Sequence, residues 1–169
     1  GVAQPSPEQL IALLKDGVAA HGSAAGPMAG VVAQSLQHWR DEDLRAMVSY
    51  LHSLPPERSP GVKTAAVAQP VLTLGKDRYE QHCADCHGKR GEGRAGAYPP
   101  LAGNPSVVQR QVHNLVQVLR WGGFAPATRG NPRPHGMGPQ PLNGEETAAV
   151  LTYIRRSWGN DAAPVSALD

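Results

Sequence analysis

Apolar residues recur at helical spacing along this chain in blocks separated by glycine- and proline-rich stretches. Leu10, Ile11, Leu13 and Leu14 form the first apolar face. The preceding Ser6-Pro7-Glu8-Gln9 supplies an N-cap, a proline at the first helical position and a polar N3 residue, and Gly17 is the expected stop. After a small-residue loop, His21 to Pro27, a short helix is expected over Met28 to Gln34. Asp41-Glu42-Asp43 opens a firmer helix, with Leu44, Met47, Val48 and Leu51 on one face. Residues 55–71 carry four prolines and no helical period, so they read as a linker. From Thr73 a helix is predicted to run into Cys83, through LGKDRYEQHC. Gly75 inside it costs about 1 kcal/mol relative to alanine, so a packing reason for it is expected. Residues 88–104 read as loop, 106–120 as helix through Val108, Val112, Leu115, Val116 and Leu119, and 124–141 as irregular. Asn143 and Glu146 make a capping box for a last helix through roughly Ser157. The pattern is all-α.

The pattern also repeats. Leu10 to Gly17 matches Leu115 to Gly122, and Glu42 to Leu51 matches Glu145 to Ile154 at nearly the same offset. Between the matched helices each copy has a Gly/Pro loop with a methionine, Met28 or Met137. Residues 1–54 therefore read as the back half of a fold whose whole form occupies 72–160, with 161–169 as a tail. Met28 is expected to fill core or to lie idle.

Charge and composition narrow the function. A net charge of +2 without a dense Lys/Arg run gives no reason to expect nucleic acid. No apolar run reaches the roughly 18 residues of a membrane span, and the first residues lack a signal-like start, so a leader has been removed or the chain is cut from something longer. Aromatics are only 5% of residues, few for a core of this size unless an apolar macrocycle supplies part of the interior.

The chemistry concentrates in Cys83-Ala84-Asp85-Cys86-His87. C-x-x-C-H is the attachment motif of c-type haem. Two cysteines three apart share a face of a helical turn, which lets both thiols meet the porphyrin's vinyl groups and brings His87 under the iron. A zinc site drawing on His82, His113 or His135 would need a second tight ligand pair, which the chain lacks. A thioredoxin-like pair would need a βαβ context.

For the sixth iron position Met137 is the candidate and His135 its competitor. The segment Pro99-Pro100-Leu101 is placed to offer a carbonyl to His87, and Leu101 to cover the ring edge. Gly75, Tyr79 and Tyr153 suit a close helix crossing beside the cofactor. Lys89, Arg90, Arg94, Arg129 and Arg133 suit an acidic docking partner or the haem propionates, with solvated loop charges as the plainer reading.

With these residues in hand, 73–159 resembles a class I cytochrome c domain. PPLAGNPSVV and LTYIRRSWGN resemble the third haem domain of the multihaem cytochrome subunits of bacterial membrane-bound alcohol, gluconate and related dehydrogenases. Residues 6–54, with GPMAGVV and DEDLRAMVSYLHSLPP, resemble the second half of the domain before it. The resemblance implies thioethers at Cys83 and Cys86, axial ligands His87 and Met137, and a place on the periplasmic face of the inner membrane. It also implies electron flow from a dehydrogenase towards quinone or an oxidase. The chain departs from the pattern in lacking the first haem domain and the second attachment motif, and in having Gly138 between Met137 and Pro139.

The expectation is thus a class I cytochrome c fold holding one covalent haem c, preceded by a helical half-domain. Cys83, Cys86, His87, Met137, Pro100, Leu101 and Tyr79 would contact the cofactor. The alternative is a haem peroxidase or small-ligand site with the sixth position open. Residues 1–54, lacking a front half, are expected to pack on the haem domain or to self-associate.

Overall fold

The computed structural model describes residues 5–55 and 65–167. They divide into two compact units. One takes in 65–122 and 137–167, the other 5–55 and, unexpectedly, 123–136. The predicted linker falls largely outside the described residues.

In the N-terminal unit, α1 spans Pro7–Asp16, α2 Pro27–Gln34 and α3 Asp41–Ser53. As expected, Ser6 caps α1 by accepting from the Gln9 amide, and Gly17 ends it with φ 77°. Two-residue strands β1 (Val18–Ala19) and β2 (Gly22–Ser23) form an antiparallel ladder between α1 and α2. The small core joins Val32, Leu36 and Leu44, with Ile11 and Leu14 packed on it. Met28 is not part of it: at 47% exposed it fills no core, because its position at the start of α2 faces away from those residues.

The other unit is organised by α4 (Gln69–His82) and α8 (Gly144–Arg155). Helix α4 starts at Gln69 rather than Thr73; Pro70 in its first turn loses no hydrogen bond there, since that N–H would have had no helical partner. Gly75 has the packing reason expected of it. A Cβ there would collide with the Ala149 carbonyl oxygen and lie 2.7 Å from Tyr153 Cβ. Past this contact Tyr79, Tyr153 and Trp158 form an aromatic cluster, with centroids 4.9 to 5.7 Å apart. The Asn143–Glu146 capping box opens α8 as predicted.

The predicted helix over 106–120 is broken into α6 (Pro105–Val108) and α7 (His113–Trp121). The cause lies elsewhere in the chain. Arg155, 1% exposed, donates through Nη1 to the carbonyls of Val107 (2.6 Å) and Gln109 (2.7 Å), and through Nε to Ala163 (2.9 Å). Those carbonyls satisfy a guanidinium instead of the next helical turn. The supposed tail also joins the core, with Ala162 and Val165 buried and the Val165 amide donating to Thr152 Oγ1 at 2.9 Å. A short ladder of β3 (Gly123–Phe124) with β4 (Gly136–Met137) stands at the two ends of the 123–136 excursion.

The crossing fixes the sign of one substitution. By helix propensity alone, Gly75→Ala would stabilise by about 1 kcal/mol. Overpacking against the Ala149 carbonyl should reverse this to a loss of about 1–3 kcal/mol, read from chemical denaturation. A gain in stability would mean that the helices do not approach this closely.

Candidate haem site

Cys83 closes α4 and begins α5 (Ala84–His87), a single turn in which the His87 amide donates to the Cys83 carbonyl at 2.9 Å. The turn places Cys83 and Cys86 on one face as free thiols, Cys83 buried and Cys86 exposed. Burial pushes the Cys83 thiol up to about 11, and the neighbouring Cys86 adds to the shift. Tyr79 Oη, one α4 turn back, donates to the Gly88 carbonyl at 2.6 Å and so holds the end of the motif against the helix crossing. Tyr79 is fully buried, and its hydroxyl is pushed upward chiefly by that burial.

His87 Nδ1 lies 2.9 Å from the Pro99 carbonyl oxygen. A carbonyl only accepts, so Nδ1 carries the proton and Nε2 is left with its lone pair free for a metal. Burial holds the imidazole below its ordinary pKa and so favours this neutral form, while the Pro99 bond offsets part of the shift.

Of the two prolines considered, Pro99 supplies the acceptor. The Pro100 carbonyl is taken by Asn104 Nδ2 at 2.7 Å. Gly93, at φ 68°, lets the loop double back; a Cβ there would stand 2.6 Å from both Pro100 N and Tyr98 O. Asn160, 5% exposed, closes the loop from the other side. Its Nδ2 donates to the carbonyls of Leu101 and Ile154, both at 2.9 Å, and its Oδ1 accepts from the Gly103 amide at 2.9 Å.

Sequence reasoning missed Asn104, Asn160 and Arg155. A signal existed for Asn104, since Asn-Pro before an apolar pair is a helix start, and it does cap α6 through the Ser106 amide. Nothing local marked the other two.

Leu101, Val108, Leu115, Val116 and Met137 are half-buried against the core that contains Tyr79 and Cys83. Each is an apolar side chain that packs on this core and that the polypeptide leaves incompletely covered. Met137 stands on it; His135 is exposed in the 123–136 segment, which belongs to the other unit. Lys89, Arg90 and Arg94 are exposed beside the motif, with Arg94 stacked over Tyr98 (5.7 Å) and Tyr98 6.5 Å from His87. Arg129 and Arg133 lie in the 123–136 segment.

Two free thiols on one helical turn, a neutral imidazole with its outer nitrogen available and half-buried apolar side chains that include a thioether suit an iron porphyrin better than any closed metal site, so the fold and site define a c-type cytochrome. Comparison with known proteins agrees. The family described as cytochrome c matches residues 72–158, and the chain belongs to it.

The family's cofactor is covalently bound haem c and its role is electron transfer. Over its whole length the chain is 37% identical to the cytochrome c subunit of a quinone-dependent alcohol dehydrogenase from Gluconobacter oxydans (strain 621H), spanning 38% of that protein. It is 32% identical to the cytochrome subunit of fructose dehydrogenase from Gluconobacter japonicus over 99% of the chain and 40% of the relative. Identity to the cytochrome c subunit of gluconate 2-dehydrogenase from Pantoea cypripedii is also 32%, over 100% of the chain and 41% of the relative. The chain thus spans about two fifths of the length of these relatives.

The loop that orients His87 should be measurably supported by Asn160. Asn160→Ala removes three hydrogen bonds and should lower stability by about 1–3 kcal/mol, seen as an earlier guanidinium midpoint. An unchanged midpoint would mean that the loop is held by other contacts.

Proposed function

We propose that this chain is a one-electron carrier with one haem c, joined through Cys83 and Cys86 and held axially by His87 and Met137. The observation that carries the reading is the His87 Nδ1 to Pro99 carbonyl contact at 2.9 Å, made in a turn that also presents both thiols. The bound haem would supply an iron that alternates between two oxidation states. The chain's own residues would keep it dry and its ligands fixed: Leu101, Val108, Leu115 and Val116 as its apolar surroundings, and Pro99, Asn104 and Asn160 as the frame for His87. Pro100 and Tyr79 act from behind, Pro100 through its bond to Asn104 and Tyr79 through Gly88.

The relatives are cytochrome subunits of dehydrogenases, which supports a dehydrogenase as electron donor and quinone or a terminal oxidase as acceptor. That setting is the periplasm or the periplasmic face of the inner membrane. No helix among the described residues is long and apolar enough to cross a membrane. The repeat supports reading residues 1–54 as the back half of a second cytochrome domain. Its α3 and the residue that caps it leave Tyr50 (64%), Leu51 (45%) and Leu54 (45%) exposed. We assign this face to self-association, which predicts a concentration-dependent dimer in sedimentation, reduced by Tyr50→Glu. A monomer at every concentration would remove that assignment.

The ligand set is tested by absorption spectroscopy of the oxidised holoprotein. A sulfur-to-iron charge-transfer band should be present, lost in Met137→Ala and kept in His135→Ala, with a lower reduction potential when the thioether is gone. A wild-type protein without the band that binds cyanide at once would support the open-site reading instead.

A further inference from the structure

Resting on the reading of Met137 as an iron ligand, we propose that residues 123–136 are a strap that ties the methionine to the N-terminal unit, with Thr128 as its latch. The chain leaves the haem-bearing unit after Gly122 and rejoins it at Met137, and everything between folds with residues 5–55. Exposed loops ordinarily hang from their ends; this one is fixed in the middle.

Thr128 is 6% exposed. Its Oγ1 donates to the carbonyl of Asp16, the last residue of α1, at 2.9 Å and accepts from the Asn131 amide at 3.1 Å. Its own amide donates to the Asn131 carbonyl at 3.1 Å, which closes a tight turn. The next residue extends the seam, with the Arg129 amide donating to Gln37 Oε1 at 3.2 Å.

Pro126 is buried against Gly17, where φ is 77° and a Cβ would lie 2.7 Å from Pro126 Cδ. Gly17 therefore both ends α1 and leaves the berth for the strap. A free orphan carbonyl at a helix C-terminus is a natural acceptor, and here it is used by a residue distant in sequence.

The consequence falls on the thioether. The segment that folds with the N-terminal residues ends at Gly136, the residue before Met137. A ligand on a loop held at its middle has fewer conformations available once detached than one on a loop free along its length. The ties at Thr128 and Arg129 would thus resist loss of Met137 from the iron. Thr128 is a positioning residue, not a ligand.

The test uses the full-length oxidised holoprotein and the rate of cyanide binding, which requires Met137 to leave. Thr128→Val keeps the shape and removes the hydroxyl. It should speed cyanide binding about fivefold, since the hydroxyl's bonds to the Asp16 carbonyl and from the Asn131 amide are both lost, with the sulfur-to-iron band still present before cyanide is added. Thr128→Ser should return the rate to within about twofold of wild type, since the latch atom is restored. Gln37→Leu, which removes the second tie, should accelerate binding in the same direction and serves where Thr128→Val does not fold. Unchanged rates in folded Thr128→Val and Gln37→Leu, with the wild-type band present, would overturn the strap and leave Met137 as ligand. A wild-type protein without the band would overturn both.

Discussion

Helix α4 can approach α8 only because Gly75 sets no side chain against the Ala149 carbonyl, and that approach fixes where the C-terminal end of α4 arrives. The haem motif follows that end without a spacer, so a shift of the crossing is a shift of both thiols. Tyr79 extends the constraint by one turn. It packs on Tyr153 and Trp158 with its ring while its hydroxyl holds the Gly88 carbonyl, so one side chain links the helix crossing to the residue after His87. The expense of a glycine within a helix, about 1 kcal/mol, is small beside a misplaced attachment site.

The second half of the site depends on a loop without regular structure. What keeps residues 99–104 in place is a pair of buried side-chain amides together with the Gly91 carbonyl, which accepts from the amides of Leu101 and Ala102 at 2.7 and 2.9 Å. Asn104 takes the Pro100 carbonyl, and Asn160 takes that of Leu101 while receiving the Gly103 amide. The Pro99 carbonyl is then left to His87. Since prolines at 99 and 100 lack N–H groups, the segment has few donors of its own to compete for these acceptors. The imidazole's tautomer is therefore set by residues up to 73 positions away in sequence, from His87 to Asn160.

Features whose causes are local were legible in the sequence. The Ser6 and Asn143 caps, the stop at Gly17 and the spacing of Cys83, Cys86 and His87 all follow from residues within a turn or two, whereas Gly75 was legible only as an anomaly whose cause, Ala149, lies far along the chain. The sequence pattern starts α4 late, at Thr73, because Pro70 suits a linker as well as a first turn. Features with distant causes were not legible. Nothing between Phe124 and Gly136 announces that the segment folds with the N-terminal residues, because its partners are the Asp16 carbonyl and the Gln37 side chain. Nor does the apolar spacing of 106–120 reveal that a guanidinium claims two of its carbonyls.

That guanidinium explains how one short segment serves the core twice. In an unbroken helix Val107 and Val112 would point about 140° apart, and they could not both face the same interior. Both are buried, at 2% and 9% exposure. The break between α6 and α7 turns the chain so that each reaches the core, and it frees the carbonyls of Val107 and Gln109. Left unpaired they would cost about 1–3 kcal/mol each. Arg155 pairs with both and reaches Ala163 as well, a three-way grip that suits a planar fork of donors and that a lysine's single ammonium would not reproduce. Burial lowers its pKa, yet among the described residues its hydrogen bonds go to carbonyl dipoles rather than a carboxylate. A cation placed there is the cost of ending one helix early, starting the next in a new direction, and fastening the C-terminal segment over both.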